Sequence, residues 1–200
     1  MKLNTDFFAE KANDYDTNKN RTQNVTNIAQ GILNEISFSK KMKIMDFGSG
    51  TGLLLSKIAP YVGKITAVDI SRSMNNVLRE KIIACEIQIL EMDLTTEKLD
   101  EKFDSIISSM TFHHIHKVDE LFKKFYSLLN NKGTIAIADL DTEDGSFHTT
   151  DTGVFHCGFD REEFKNYAKD AGFRNINIQT VSITEKPTGS YPIFLLTAEK

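Results

Sequence analysis

The fold is decided by one stretch of sequence, Lys43-Ile44-Met45-Asp46-Phe47-Gly48-Ser49-Gly50-Thr51-Gly52. Its first half is a short apolar run typical of a buried strand. Its second half has glycine at alternate positions, and Leu53-Leu54-Leu55 then begins a predicted helix. Because glycine lacks a Cβ, such a loop can turn tightly and let a ligand approach the backbone. A strand, a glycine loop and a helix in this order are typical of a doubly wound sheet, in which ligands bind beyond the carboxyl ends of the strands.

The chain around this stretch continues to alternate apolar runs with helical patterns. Further strands are predicted at residues 65–69, 87–91, 104–108 and 134–139, and helices at residues 53–59, 71–83 and 118–129. A helix at residues 160–171 precedes two apolar runs, 176–183 and 191–197, which a turn at Lys186-Pro187-Thr188-Gly189 joins. We therefore expect an α/β fold, a Rossmann-like doubly wound sheet of about seven strands. It should be mostly parallel, with an antiparallel C-terminal hairpin.

The composition is that of one globular domain. The 200 residues are 40% hydrophobic and 26% charged, and the net charge of −4 provides no positive field for nucleic acid. No apolar run approaches the length of about 18 residues that a membrane span needs, and the N-terminus lacks the apolar stretch of a signal peptide. Two cysteines, Cys85 and Cys157, are too few for a disulfide framework. We predict a cytoplasmic protein without membrane or nucleic-acid partners, and the oligomeric state stays open.

Three acids lie at the ends of three successive strands. Asp46 is the last residue but one of the first strand, Asp69 ends the second, and Asp93 follows the third. Asp69 suits a bidentate contact with a ribose diol and Asp93 can accept from an adenine amino group, although either alone is also a common turn residue. The glycine spacing differs from a dinucleotide fingerprint, because Leu53 stands where the third glycine would be, and no P-loop lysine follows.

In these features the sequence resembles the class I S-adenosylmethionine-dependent methyltransferases. The resemblance is carried by residues 46–52, 68–71, 91–94, 103–109 and 128–134, and it is strongest over residues 40–140. Residues 7–16 resemble the lid of the quinone-biosynthesis-like branch, and the final helix and hairpin suit a fold whose seventh strand runs antiparallel between two others. The resemblance implies one methyltransferase domain over residues 1–200. Its parts are a helical lid at 1–35, a cofactor-binding core at 40–140, an acceptor-side loop and helix at 141–172, and the hairpin at 173–200.

The resemblance also implies a binding site for S-adenosylmethionine, with S-adenosylhomocysteine as the product. Asp46 is expected near the amino group of the cofactor, Asp69 at the ribose hydroxyls and Asp93 at the adenine amino group. The other residues implied are Gly48, Ser49, Gly50 and Gly52 in the glycine loop, Ile70, Met74, Met92 and Leu94 around the adenine, and Ser108 and Ser109 under the methionine chain. Tyr15 and Arg21 would close over the cofactor, or belong to an ordinary packing helix.

The histidines all lie between residues 113 and 156. His113 and His114 follow the fourth strand, and His148 and His156 follow the fifth, on the side where the resemblance places the acceptor. Histidine can remove a proton from an acceptor near neutral pH, so these four are candidate catalytic residues, with packing as the alternative. His116 is predicted at the surface.

The acidity of the chain is concentrated after the fifth strand. Residues 139–160 hold six acids and no Lys or Arg, a charge of −6 against −4 for the whole chain, so the rest sums to +2. A loop of this length is typical of a lid or binding element, and its field would favour a neutral or cationic acceptor; a solvated acidic loop is the alternative. Asp139, Asp141, His148, His156 and Cys157 are plausible metal ligands by type but lack a recognisable ligand spacing, so no metal is predicted.

These observations favour methyl transfer from S-adenosylmethionine to a small molecule, with the acceptor atom (O, N or C) undetermined. Three alternatives stay open: a non-catalytic protein that binds the cofactor, a protein methyltransferase and a nicotinamide-dependent oxidoreductase. Leu53 counts against the last, since it occupies the third-glycine position.

Overall fold

The strands of the structure follow the predicted alternation closely. A computed structural model describes residues 6, 9, 11, 12, 14–148 and 153–200. Its strands are β1 (Lys43–Phe47), β2 (Lys64–Asp69), β3 (Glu86–Glu91), β4 (Phe103–Ser109), β5 (Leu129–Leu140), β6 (Arg174–Lys186) and β7 (Gly189–Glu199). They form one sheet in the order β3-β2-β1-β4-β5-β7-β6. The first five are parallel, and β7 pairs antiparallel with both β5 and β6. The expected α/β fold with an antiparallel C-terminal hairpin is confirmed.

The described chain contains five α-helices, and three of them begin at a residue whose side chain caps the first turn. They are α1 (Lys19–Glu35), α2 (Leu53–Ile58), α3 (Arg72–Arg79), α4 (Val118–Leu128) and α5 (Arg161–Asp170). The side chain of Asn18 accepts from the third amide of α1, and Ser71 and Asp160 cap α3 and α5 in the same way. Such caps satisfy amides that have no partner within the helix, which fixes the first turn of each.

Two element boundaries differ from the prediction by four residues or more. Helix α3 ends at Arg79, four residues before the predicted Ile83, because Ile82 is fully exposed and the buried helical face does not continue to it. Strand β5 begins at Leu129, five residues early, because Leu129 already pairs with Phe103. The predicted stop at 130–133 is instead an irregularity within the strand, where Lys132 adopts a left-handed φ of 64°.

Hydrophobic cores cover both faces of the sheet and hold its carboxyl edge in place. One packs α1 and α2 against the sheet through Ile28, Ile32, Leu55 and Ile58. The other, on α4 and α5, is largely aromatic, with Phe112, Phe122, Phe125 and Phe164 at ring-centroid distances of 5.2 to 5.8 Å. Phe112 begins a 3-10 turn, Phe112–His114, directly after β4. This packing fixes the position of the two histidines in that turn.

Candidate active site at the carboxyl edge of the sheet

A cavity of about 470 Å³ opens beyond the carboxyl ends of β1 and β4. Its walls come from the glycine loop, the N-terminal segment with α1, the turn after β4, and residues 184–187 at the end of β6 and the following turn. Ten predicted site residues line it: Tyr15, Arg21, Asp46, Gly48, Ser49, Gly50, Ser109, His113, His114 and His148. The sheet topology therefore brings together residues that lie far apart in sequence, as a switch point between strands predicts.

The three glycines of the loop adopt left-handed conformations for different reasons. A Cβ on Gly48 would lie 2.2 Å from Oγ1 of Thr111, and one on Gly52 would lie 2.4 Å from Cδ1 of Leu78, so packing excludes larger residues at both positions. A Cβ on Gly50 would meet no atom within 4 Å among the described residues. Gly50 thus leaves its backbone open toward the cavity, where a ligand can approach it closely.

Asp46 is the most unusual acid of the cavity. It is only 1% exposed, and no donor in the described part of the chain reaches either carboxylate oxygen in hydrogen-bonding geometry. Burial raises its pKa well above the ordinary value and the nearby Asp69 raises it further, while the backbone amide of Leu55, which lies close but outside hydrogen-bonding geometry, lowers it. A buried carboxylate without donors is destabilising, so this site favours a ligand that brings a cationic donor.

Asp69 holds the glycine loop. Its Oδ2 accepts from the amide of Gly50 at 2.8 Å, and its Oδ1 accepts from the amide of Ser71 at 2.8 Å. Burial raises the pKa of Asp69, and these two hydrogen bonds lower it in part. Each oxygen keeps a further lone pair, so the carboxylate can still accept from a diol. Ile70, the next residue, exposes 64% of its surface and provides an apolar face beside it.

Apart from Met74, which lies in α3, the residues predicted around an adenine lie at the ends of β2 and β3, and none of them lines the cavity. The amide of Met92 donates to the carbonyl oxygen of Asp69 at 3.3 Å, which places the two strand ends side by side. Asp93 accepts from Thr95 and Thr96; partial burial opposes these hydrogen bonds, but they hold its pKa below the ordinary value. Met74 and Leu94 are buried.

Ser108 and Ser109 take different positions at the end of β4. The hydroxyl of Ser108 donates to the carbonyl oxygen of Phe47 at 2.8 Å and is buried between β4 and β1. Ser109 lines the cavity. Ser108 therefore supports the sheet beneath the cavity.

The N-terminal segment is closed over the glycine loop. The guanidinium of Arg21 lies 3.8 Å from the centre of the Tyr15 ring and donates to the Tyr15 carbonyl oxygen at 2.7 Å. Asp16 accepts from the Thr51 hydroxyl at 2.6 Å and pairs with Lys81. Of the predicted lid stretch, Phe7, Phe8, Glu10 and Asn13 lie outside the described residues.

Three histidines form a cluster in the wall of the cavity. The His113 ring centroid lies 4.3 Å from that of His114 and 5.1 Å from that of His148. Burial, followed by the proximity of His113, lowers the pKa of His114 and of His148 to about 4. Both are therefore neutral near pH 7.

His113 is paired with a buried acid. Its Nδ1 lies 2.7 Å from Oδ1 of Asp139, and neither side chain is more than 2% exposed. Burial alone would raise the pKa of Asp139, but His113 and the surrounding hydrogen bonds outweigh it and hold the pKa below the ordinary value. An ionised Asp139 accepts a hydrogen bond from the Nδ1–H of His113, and in the neutral tautomer that carries this proton Nε2 is the acceptor nitrogen. From its place in the sequence, Asp139 was expected to be a metal-ligand type or one of the six acids of residues 139–160, and its pair with His113 was not predicted; an acid at the end of the apolar strand next to β4 was the available signal.

The fourth histidine candidate lies elsewhere. Nε2 of His156 is 2.9 Å from the carbonyl oxygen of Ile115, and His156 does not line the cavity. The expectation that His156 joins the other three is corrected, because its ring is held against the loop after β4. His116 is exposed beside Phe155, as predicted.

Acids of residues 139–160 form an ion pair and a helix cap with neighbouring residues. Asp141 binds Arg161 through both oxygens, at 2.6 Å each, and Asp160 caps α5. No described acid of this segment lines the cavity, and Asp151 lies outside the described residues. The charged residues in the wall are Lys11, Arg21, Asp46, Glu185 and Lys186. The preference for a neutral or cationic acceptor was expected from the negative charge of this segment. Three of the five charged residues in the wall are positive, so the charges of the cavity do not support that preference.

Two kinds of feature, a group of metal ligands and a membrane-spanning helix, are absent from the part of the chain that the structure describes. There, no three His, Cys, Asp or Glu side chains are grouped so as to hold a metal ion. No described helix combines the length and apolar character that crossing a bilayer requires.

A sheet whose antiparallel seventh strand lies between the fifth and sixth, with a glycine loop after the first, defines the class I methyltransferase fold. A family model described as a methyltransferase domain matches residues 21–178. The chain belongs to this methyltransferase family, and the resemblance found in the sequence is confirmed at this level. The assignment to a quinone-biosynthesis-like branch is untested and stays a prediction.

Individual relatives agree with the family. An uncharacterised methyltransferase of Schizosaccharomyces pombe is 31% identical over 168 residues, covering 74% of this chain and 59% of the relative. The malonyl-[acyl-carrier protein] O-methyltransferase of Priestia megaterium is 27% identical over 113 residues, covering 54% and 41%. Phosphoethanolamine N-methyltransferase 2 of Haemonchus contortus, solved with S-adenosyl-L-methionine, has a TM-score of 0.69 at 17% identity, covering 87% of this chain and 52% of that chain. This chain thus spans 59% or less of each.

Proposed function

We propose that the protein transfers a methyl group from S-adenosylmethionine to a small-molecule acceptor and releases S-adenosylhomocysteine. The observation that carries the proposal is the buried carboxylate of Asp46, which has no hydrogen-bond donor in the described chain and faces the cavity beside the open backbone of Gly50. The ammonium group of a methionine moiety supplies both the charge and the donors that this carboxylate lacks.

The other cofactor contacts follow along the sheet edge. Asp69 accepts hydrogen bonds from the ribose hydroxyls. The exposed face of Ile70 packs against the adenine together with Met92, and Asp93 accepts a hydrogen bond from the adenine amino group. Gly48, Ser49 and Gly52 shape the loop, and Ser109 lines the methionine end. Met74, Leu94 and Ser108 are buried and support these contacts from beneath. Tyr15 and Arg21 close the site from the N-terminal segment, which excludes water from the reacting atoms.

The pair His113–Asp139 provides the base. The cofactor supplies a methyl group on a sulfonium, an electrophile that needs no covalent enzyme intermediate. His113 takes a proton at Nε2 from an acceptor that must lose one, and Asp139 stabilises the imidazolium that results. His114 and His148, both neutral, orient the acceptor by hydrogen bonds. Alignment of the acceptor atom behind the methyl carbon supplies much of the rate enhancement.

The arrangement favours an enzyme over the alternatives. A non-catalytic cofactor-binding protein would share the glycine loop and the strand-end acids, but it would not need a buried His–Asp pair in the same cavity. A nicotinamide-dependent enzyme is disfavoured because Leu53 begins α2 at the third-glycine position. We further propose a cytoplasmic location and the four-part division of the chain given by the resemblance, with a small molecule rather than a protein as acceptor.

Replacing Asp69 by Asn tests the ribose contact. The amide retains one oxygen for the glycine loop but loses the second acceptor, so we expect affinity for S-adenosylhomocysteine to fall about tenfold or more. Calorimetric titration measures this, and Asp170→Asn, at an exposed position on α5, is the matched control. Equal affinity in the Asp69 variant and the control would exclude this role of Asp69.

Replacing Asp16 by Asn tests the lid. The variant loses the ion pair with Lys81 and weakens the link to Thr51, so the closed segment opens more often. We expect a threefold to tenfold loss of affinity for S-adenosylhomocysteine, roughly 1 kcal/mol, with little change in the free energy of unfolding. Asp14→Asn, at an exposed position on the same segment, should bind like the wild type. Unchanged affinity in the Asp16 variant would show that the segment is not a lid for the cofactor.

A further inference from the structure

Lys186 lines the cavity together with His113, His114 and His148, and we call this part of its lining the histidine wall. Lys186 is the last residue of β6, and its ammonium group lies 3.4 Å from the centre of the Phe147 ring and donates to the Phe147 carbonyl oxygen. The Phe147 ring in turn meets His148 edge-on, with centroids 4.8 Å apart. Lys186 therefore stands beside the groups that face the acceptor in the proposed function.

The charge around Lys186 is positive. Burial lowers the pKa of Lys186, and the nearby Arg21 and Lys11 lower it further, while Glu143 opposes them. No carboxylate of the described chain lies within 4.0 Å of its ammonium group. A partly buried cation with a carbonyl oxygen and a ring as partners is incompletely compensated, and an anion is the group that completes it.

Neither acid that lines the cavity forms an ion pair with Lys186 in the described chain. Asp46 lies buried in the floor at the end of β1, and the proposed function assigns it to the ammonium group of the cofactor. Glu185 accepts from the hydroxyl of Ser190 at 2.8 Å, within the hairpin. Among the charged residues that line the cavity, three are cations and two are acids, so a net positive charge remains among them.

The cofactor carboxylate has a different cation nearby. Arg21 is stacked on Tyr15, and the segment that holds Tyr15 bonds to the glycine loop through Asp16 and Thr51. The lid thus provides a cation on the glycine-loop side. Lys186 lies on the hairpin and contacts the loop that carries the third histidine.

We propose that the acceptor carries an anionic oxygen group, a carboxylate or a phosphate, and that Lys186 binds this group. The proposal rests on the proposed function and names its substrate class. Binding at Lys186 leaves the nucleophilic atom of the acceptor beside His148, His113 and His114, which explains why a cation and three histidines share one wall. The positive field of Lys11, Arg21 and Lys186 also attracts such an acceptor from solution.

The test compares anionic and neutral probes of the same shape. Protein saturated with S-adenosylhomocysteine is titrated calorimetrically with 4-hydroxybenzoate, with its neutral twin 4-hydroxybenzamide, and with inorganic phosphate. We expect an anion to bind at least tenfold more tightly than the amide. A higher affinity for phosphate assigns the acceptor to the phosphate class, and a higher affinity for benzoate assigns it to the carboxylate class. Equal binding of anion and amide, or no binding of either anion, overturns the proposal.

Variants at Lys186 separate its charge from its shape. Lys186→Met should weaken binding of the favoured anion about tenfold or more and leave the amide unchanged, whereas Lys186→Arg should retain the anion. Lys123→Met, at an exposed position on α4, is the matched control. An equal loss for anion and amide would show that Lys186 acts only through structure, and would overturn the proposal.

The cofactor titration keeps this test distinct from the proposed function. Wild-type protein and the Lys186 variants are first titrated with S-adenosylhomocysteine alone, and all should bind it with similar affinity. If the wild type does not bind it, the proposed function fails. If it binds but the anions do not discriminate, only the assignment of the acceptor class fails.

Discussion

Replacing Asp46 by Asn is expected to weaken binding of S-adenosylhomocysteine about 100-fold and to stabilise the ligand-free protein. The affinity falls because the buried carboxylate is the proposed counter-charge of the cofactor ammonium, and such a contact contributes about 2–3 kcal/mol. The free protein gains about 1–2 kcal/mol because an amide of the same shape is less costly to bury than a carboxylate without donors. Calorimetry measures the first effect and urea unfolding the second.

The stabilisation by Asp46→Asn should depend on pH with a definite sign. Burial and Asp69 raise the pKa of Asp46 in the folded state, so the folded protein holds this proton more tightly than the unfolded chain. The stabilisation that this proton gives the wild-type protein is fully present below the ordinary carboxyl pKa. It is lost as the pH rises through the raised pKa of Asp46 in the folded state. The free energy of unfolding of the variant should therefore rise relative to that of the wild type as the pH increases from acid to neutral. A variant that is less stable than the wild type and binds the cofactor equally well would contradict this role of Asp46.

Replacing Asp139 by Ala is expected to lower the free energy of unfolding by about 3–5 kcal/mol. Three donors lose their acceptor: Nδ1 of His113 at 2.7 Å, the amide of His113 at 3.3 Å and the amide of Leu140 at 2.8 Å. All three are buried, so water does not replace the lost hydrogen bonds easily. Urea unfolding measures the effect, with Asp139→Asn as a milder variant that keeps one acceptor oxygen.

Two further measurements, the pH dependence of stability and the affinity for S-adenosylhomocysteine, test the role of Asp139. Its pKa lies below the ordinary value, so its stabilisation is present above the unfolded pKa and is lost as pH falls through the folded value. The difference between wild type and Asp139→Asn should therefore shrink in acid. Binding of S-adenosylhomocysteine should change little, because Asp139 does not contact the glycine loop. A loss of less than 1 kcal/mol in Asp139→Ala would show that the pair with His113 is not formed.

The fold was predictable because its information is local. The glycine loop at 48–52 and the period of the apolar runs depend on neighbours within one element, and the structure contains each predicted strand. The boundaries were less accurate for the opposite reason. Pairing of Leu129 with Phe103 starts β5 early, and exposure of Ile82 ends the buried face of α3, and both are set by the assembled sheet.

The acceptor side was harder to predict because its contacts join distant segments. His113 and Asp139 meet only because β4 and β5 are adjacent, and Lys186 reaches the same wall from the hairpin. The acidic segment misled because residue type and position along the chain do not show which way an acid points. Asp141 binds Arg161 and Asp160 caps α5, so these two acids act locally, whereas Asp139 of the same segment pairs with His113 in the cavity wall.

The central claim is that this cavity and sheet edge bind S-adenosylmethionine, and one calorimetric experiment tests it most directly. The purified wild-type chain is titrated in turn with S-adenosylmethionine, S-adenosylhomocysteine and NADH. We predict saturable binding of both adenosyl compounds, one molecule per chain, and no binding of NADH. Binding of NADH alone, or of none of the three by folded protein, would contradict the account.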